Sequence, residues 1–147
     1  MAKLLLLLLP LAGLAHASNI SSCGGSAQVN TANIIVTGCD QPSQPCIFRK
    51  GTMATIKLPF TPTSQISAVK AEVHGILGGV PIPFPLPNSN ACNMSGLNCP
   101  LVAGEQYTYQ ASLPIKRIYP SIGLEVKWEL KDGDNSLVCI MIDVKLE

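Results

Sequence analysis

Six cysteines, Cys23, Cys39, Cys46, Cys92, Cys99 and Cys139, constrain this chain more than any other feature, because their chemistry depends on the compartment the chain folds in. The N-terminus indicates which. Met1 to Ala17 holds one basic residue, Lys3, then the apolar run from Leu4 through Leu14, and it ends in Ala15-His16-Ala17. That apolar core is too short to span a bilayer, and small residues occupy the two positions that specify cleavage. Residues 1–17 therefore read as a secretory signal peptide, and residues 18–147 as one exported domain. An even number of cysteines in such a domain implies disulfides. No pair has the close spacing of a zinc ribbon, and the single histidine beyond the leader, His74, cannot complete a Cys/His ligand set.

Spacing narrows the pairing. Cys39 and Cys46 flank the turn-rich Asp40-Gln41-Pro42-Ser43-Gln44-Pro45, and Cys92 and Cys99 flank Asn93-Met94-Ser95-Gly96-Leu97-Asn98, so both pairs look like clipped loops. Cys23 is left with Cys139, near the two ends of the exported part. In the chain-entropy picture that long closure is worth about 5 kcal/mol, the largest of the three.

Composition removes several function classes. The chain is 47% apolar and 13% charged with a net charge of +1, and loss of Lys3 with the leader brings it to neutrality. Disorder needs few apolar residues and a large charge imbalance, and nucleic-acid binding needs a basic excess. Neither fits.

The chain between the cysteines alternates with period two, the mark of strands with one dry and one wet face. Leu124, Val126, Trp128 and Leu130 oppose Glu125, Lys127, Glu129 and Lys131. Val69, Ala71, Val73 and Leu77 oppose Lys70, Glu72 and His74; Ile56, Leu58 and Phe60 oppose Thr55 and Lys57. Tyr107, Tyr109, Ala111 and Leu113 oppose Thr108, Gln110 and Ser112, and Ile140, Ile142 and Val144 oppose Met141, Asp143 and Lys145. Ile34 to Thr37 adds a short strand, and Asp132-Gly133-Asp134-Asn135 joins the last two long ones as a hairpin. Helical spacing is not sustained. Short antiparallel strands in a domain this size predict an all-β fold, an immunoglobulin-like two-sheet sandwich.

Val80-Pro81-Ile82-Pro83-Phe84-Pro85-Leu86-Pro87 places proline at every second position. Proline fixes the backbone near extended geometry and removes the amide donors that a central strand needs. If the segment is strand-like, Val80, Ile82, Phe84 and Leu86 share one side. It is either a rigid loop over the core or a stiff wall that keeps an apolar cavity between the sheets from collapsing.

On these residues the chain resembles the MD-2-related lipid-recognition (ML) family, and within it the Niemann-Pick type C2 group with its arthropod members. The resemblance rests on Gln44-Pro45-Cys46, Lys50-Gly51, Val73-His74-Gly75-Ile76-Leu77 and Val80 to Pro87. It continues through Asn98-Cys99-Pro100, Leu113-Pro114-Ile115-Lys116, Tyr119-Pro120-Ser121-Ile122, Val126-Lys127-Trp128-Glu129-Leu130 and Cys139, and so spans the exported part. It implies the same three disulfides and two sheets that part slightly to admit a lipid. It also implies a lined tunnel: Ile82, Phe84, Ile115 and Tyr119 at the mouth, with Val36, Phe48, Ile56, Val73, Leu77, Pro114, Val126, Trp128, Ile140 and Ile142 deeper. Ala54 and Ile140 stand where relatives often carry aromatics, which implies a roomier cavity, open to sterols, long-chain fatty acids or similar apolar molecules.

The function expected is a secreted lipid carrier, extracellular or in the endosomal or lysosomal lumen, that works as a monomer without cofactor or metal. It would exchange its ligand with a membrane surface or a lipid-accepting membrane protein, and Lys116 and Arg117 beside the mouth would attract an anionic group. The alternative on the same fold is an innate-immune co-receptor that senses microbial lipid. An enzyme is not expected, because His74 lies on a wet face and neither a serine elbow nor paired carboxylates in an apolar setting accompany it. Asn19-Ile20-Ser21 and Asn93-Met94-Ser95 are candidate glycosylation sites.

Overall fold

The alternating stretches become strands in the computed structural model, which describes residues 18–147; the expected signal peptide lies outside them. In chain order the strands are β1 (Ile20–Gly24), β2 (Ile35–Val36), β3 (Cys46–Phe48), β4 (Thr52–Phe60), β5 (Lys70–Leu77), β6 (Val80–Pro83), β7 (Tyr107–Ile115), β8 (Gly123–Asp132) and β9 (Asn135–Leu146). Among the described residues the sole helical element is a 3-10 turn, Thr31–Asn33, capped by the Asn30 side chain, which accepts from Ala32 N–H at 3.1 Å. One sheet runs β1-β9-β8-β5-β6, with β3 also on β9; the other runs β2-β4-β7.

The sandwich is antiparallel as expected, with one departure. β3 pairs with β9 in parallel, Cys46 to Val144 through Phe48 to Leu146, beyond the stretch where β1 pairs with β9 antiparallel. Two short strands thus cover successive parts of one long edge. β1 buries Ile20 alone and β3 has three residues, so neither shows period two and the sequence pattern misses them.

Alternation places the core. On β4 the inward residues Ala54, Ile56, Leu58 and Phe60 are buried, and on β8 so are Val126, Trp128 and Leu130. Tyr109, Leu113 and Ile115 of β7 lie beside the β4 residues in the smaller sheet and are buried with them against the β8 residues of the larger one. Tyr109 and Trp128 meet edge-on with ring centroids 6.3 Å apart, and Trp128 Nε1–H donates to Tyr109 Oη at 3.3 Å. This gives both buried aromatic polar groups a partner, as burial requires.

The alternating prolines form the free edge of the larger sheet. β6 pairs antiparallel with β5, Leu77 to Val80 through His74 to Pro83, across a two-residue Gly78-Gly79 turn with φ of 57° and 80°. Positive φ at both positions suits the turn type that matches strand twist. Phe84 N–H continues the ladder to Val73 O at 2.9 Å. By alternation the amides of Val80 and Ile82 also face β5, so Pro81 and Pro83 stand where the missing donors point away from it. The prolines cost this strand no ladder bond and leave its outer edge unable to recruit another strand.

The disulfides are Cys23–Cys139, Cys39–Cys46 and Cys92–Cys99, with no free cysteine among the described residues. The first ties β1 to β9; the other two clip loops.

Candidate functional site: an apolar cavity at one end of the sandwich

Where β7 leaves the smaller sheet and the chain crosses to β8, the loop 116–122 arches over the end of the larger sheet. Five hydrogen bonds among the described residues hold it, one of them from Ile122 N–H to Pro120 O at 3.1 Å. Gly51 N–H donates to Ile115 O at 2.6 Å, Tyr119 N–H to Lys116 O at 3.1 Å, Leu146 N–H to Ile122 O at 2.9 Å, and Lys50 Nζ to Ser121 Oγ at 2.7 Å. Beneath the arch is a cavity of about 240 Å³. Gly75 of β5, Leu124 of β8 and Leu146 of β9 form its floor; Phe84 with Pro83 and Pro85 forms one wall; Tyr119, Pro120 and Ile122 form the roof; and Leu77, Ile82 and Ile118 stand exposed at the rim.

Phe84 and Tyr119 frame it, with ring centroids 5.1 Å apart and planes at 43°. Phe84 reaches this position because position 75 lacks a side chain. A Cβ there would stand 2.8 Å from Phe84 Cε2. Among the described residues, only Lys116 and Tyr119 bring polar side chains to the lining. Burial pushes the Tyr119 hydroxyl above the usual phenol range, and that hydroxyl is enclosed with no hydrogen-bond partner among the described residues.

Of the residues expected at the site, Leu77, Ile82, Phe84 and Tyr119 come together on this cavity. Ile115 lies buried at the start of the arch. Val73, Val126, Trp128, Ile140 and Ile142 lie behind the cavity on the inner face of the larger sheet. Register stacks them there, since Gly75 pairs with Val126, Val73 with Trp128, Val126 with Ile142 and Trp128 with Ile140. Val36 and Ile56, themselves paired, lie buried in the smaller sheet, and Phe48 is buried on β3. All of these pack in the closed core.

Four residues sit differently from the expectation. Leu77 is at the rim and 42% exposed, because β5 ends there in the glycine turn. Pro114 takes the outward phase of β7, opposite exposed Met53, so Leu113 and Ile115 carry the inner face instead. Arg117 lies against Gly51, whose Cβ position is 3.0 Å from the guanidinium carbon, and Lys116 alone of the basic pair lines the cavity. Asn19 is 8% exposed, and its Nδ2 donates to Gln41 O and Gln44 O, each at 3.1 Å, so the folded chain leaves no room for a glycan. Asn93 is exposed in the clipped loop. The cavity also takes in Gly75, Ile118, Pro120, Ile122, Leu124 and Leu146, which the sequence does not single out. Alternation marks Leu124 as an inward residue of its strand; the loop positions have no period to reveal them.

His74 sits on the outer face with Glu72 and Glu129, their ligand-capable atoms all within 4.8 Å of one another. Glu72 and Glu129 are directly opposite across β5 and β8, an unfavourable arrangement for like charges that lysines offset. Lys131 lies 3.2 Å and Lys70 3.4 Å from Glu72, and Lys127 lies 3.4 Å from Glu129. The hydrogen bond and charge of Lys131 hold the Glu72 carboxyl below its ordinary range.

Residues 17–146 match the family described as ML domain (E1_DerP2_DerF2). The chain is 42% identical over 147 residues to NPC intracellular cholesterol transporter 2 of Sus scrofa, covering 99% of this chain and 96% of that protein. It is 39% identical over 134 residues to NPC intracellular cholesterol transporter 2 homolog a of Drosophila melanogaster, covering 90% of each. The solved structure of a Niemann-Pick type C2 protein from Japanese carpenter ant superposes with a TM-score of 0.80 at 26% identity, over 87% of this chain and 98% of that one. A match over nearly the whole described chain, joined to a fold and cysteine framework built as that family implies, makes this chain a member of the ML domain family.

Proposed function

We propose that this protein is an exported carrier that encloses one apolar lipid, a sterol, long-chain fatty acid or molecule of similar shape, and passes it between membranes or proteins. The observation that carries the reading is the apolar cavity beneath the 116–122 arch, which backs onto in-register layers of apolar side chains. Similarity to proteins named as cholesterol transporters points the same way. At about 240 Å³ the cavity is smaller than the roughly 300–1,000 Å³ of ordinary ligand pockets. Full enclosure therefore needs the sheets to part between Val73, Val126 and Trp128 on one side and Ile56 and Leu113 on the other. None of the three disulfides joins the two faces there, and the apolar side chains that separate pack against the ligand in place of one another.

Hydrophobic transfer supplies the affinity. A ligand hiding about 400 Å² of apolar surface gains on the order of 10 kcal/mol, and immobilisation and opening reduce this to about micromolar or submicromolar binding. No reaction step is needed. The three disulfides suit an oxidising compartment, extracellular or lumenal, and the protein acts as a monomer. The exposed rim residues Val80, Ile82 and Ile118, with Lys116 beside them, form the surface for exchange with a membrane.

Substitution at the mouth tests this. Phe84→Ala and Tyr119→Ala are expected to weaken binding of a hydrophobic fluorescent probe about tenfold while thermal unfolding remains cooperative. Unchanged affinity in both would remove the proposed entrance.

A further inference from the structure

The outer face of the larger sheet, turned away from the cavity, carries a side-chain cluster that lipid binding does not use. In the β5–β8 register Glu72 stands directly opposite Glu129, and His74 follows Glu72 by two residues, so all three side chains leave the sheet on one face. One ligand-capable atom of each, two carboxylate oxygens and an imidazole nitrogen, lie within 4.8 Å of one another. Glu129 is the unusual member, because on a charged outer face it is only 8% exposed. A carboxylate so enclosed needs firm partners, yet among the described residues its one ion pair is with Lys127 at 3.4 Å. Lys131 and Lys70 stand 3.2 and 3.4 Å from Glu72, and firm ammonium–carboxylate bonds are shorter, roughly 2.7–2.9 Å. His74, half-buried beside them, takes part in none of the ion pairs among the described residues. Two opposed carboxylates are thus held by loose counter-ions, with a free imidazole next to both.

We propose that Glu72, His74 and Glu129 form a binding site for a divalent transition-metal ion, zinc being the best fit, on the outer face of the sandwich. An imidazole with two carboxylates suits zinc, whereas calcium and magnesium take sets made of oxygen alone. Zinc bonds of about 2.0–2.2 Å put tetrahedral donors roughly 3.3–3.5 Å apart, so side-chain rotations of about 1 Å close this set while the two strands stay in place. The ion supplies the charge that the lysines now give. Lys127 and Lys131 have side chains 36% and 27% exposed and turn out to water. A groove lined by Pro83, Leu86 and Ser89 runs beside Glu72 and His74, which gives the ion a path in and water the remaining coordination position. Bound there, the ion cross-links β5 to β8 from the side opposite the lipid and stabilises the fold by mass action. The site is separate from the cavity, so its test is independent of the carrier reading.

The test is titration of the untagged protein with zinc chloride, followed by NMR and by thermal unfolding. His74 is the single histidine beyond residue 17, so one imidazole signal reports the site. That signal should shift and saturate at one ion per chain, with a dissociation constant on the order of micromolar. The melting temperature should rise with zinc, and magnesium at the same concentration should do neither. His74→Gln and Glu129→Gln should each weaken zinc binding about tenfold or more and leave binding of a hydrophobic fluorescent probe unchanged. His74 is half-buried at the surface, so its variant keeps the test decisive if Glu129→Gln fails to fold. An imidazole signal that stays in place under excess zinc overturns the proposal, as does zinc affinity in His74→Gln equal to that of the wild type.

Discussion

A Cβ on residue 75 would stand 2.7 Å from Leu124 Cδ1 and 2.8 Å from Phe84 Cε2, closer than carbon atoms approach without displacement. Glycine there is a packing requirement, and the atoms it spares are the wall and floor of the cavity. Gly75→Ala should push the Phe84 ring away from Tyr119, lower probe affinity several-fold, and cost about 1–3 kcal/mol of stability. A crystal structure or probe titration of the variant decides it; an unmoved ring with full affinity would show that the site does not depend on this contact. Tyr109 gives a second prediction at this scale. Burial pushes its hydroxyl up to about 12, against the opposing effect of the Trp128 hydrogen bond. The folded state thus holds its proton more tightly than the unfolded state, whose value is near the ordinary 10. Stability from this source is complete below pH 10 and falls as pH rises toward 12, by about 2 kcal/mol. Chemical denaturation at several alkaline pH values should show that slope, and Tyr109→Phe should flatten it.

At the scale of elements, the strongest staple is the one that closes the longest loop. Cys23–Cys139 spans 116 residues and each of the others spans 7. Replacing Cys23 and Cys139 by Ala should cost about 5 kcal/mol, against roughly 2–3 kcal/mol for either short clip. Denaturant midpoints of the double variants check the order. The two sequons also separate by element. Asn93 lies exposed in a clipped loop, while Asn19 is folded into β1's approach with its amide bonded to Gln41 O and Gln44 O. Protein from a glycosylating host should carry one glycan, lost in Asn93→Gln and retained in Asn19→Gln, with intact mass as the readout. Some elements are legible in the sequence and others are not. β8 shows its faces because Leu124 through Lys131 alternate without interruption, and the prolines of Val80 to Pro87 announce an edge because no central strand can spare those donors. β1 exposes all but Ile20, and β3 is held by a parallel partner about a hundred residues distant, so neither carries a local signal. Family resemblance puts Pro114 inside, whereas the register of β7 turns it outward, opposite exposed Met53, between buried Leu113 and Ile115. The roof of the cavity is loop, and the exposure of Ile118 at 86% follows from the path of the arch, which no periodicity encodes.

In the whole molecule, a closed, dry core and a small open cavity form one continuous apolar body. Phe84 and Tyr119 frame the cavity, and Trp128, Ile140 and Ile142 are buried in the core behind it. Cys23–Cys139 and the β8–β9 hairpin tie strands of the larger sheet together, whereas no disulfide joins two strands of the smaller one. It has three strands, and its β2 has only two residues. If this body exists to hold a lipid, the protein should be found carrying one. Native mass spectrometry of the protein from its own source, and after incubation with cholesterol or a long-chain fatty acid, reads this out. One lipid-sized adduct per chain is expected, reduced in Phe84→Ala; absence of any such adduct under every loading condition would contradict the carrier reading.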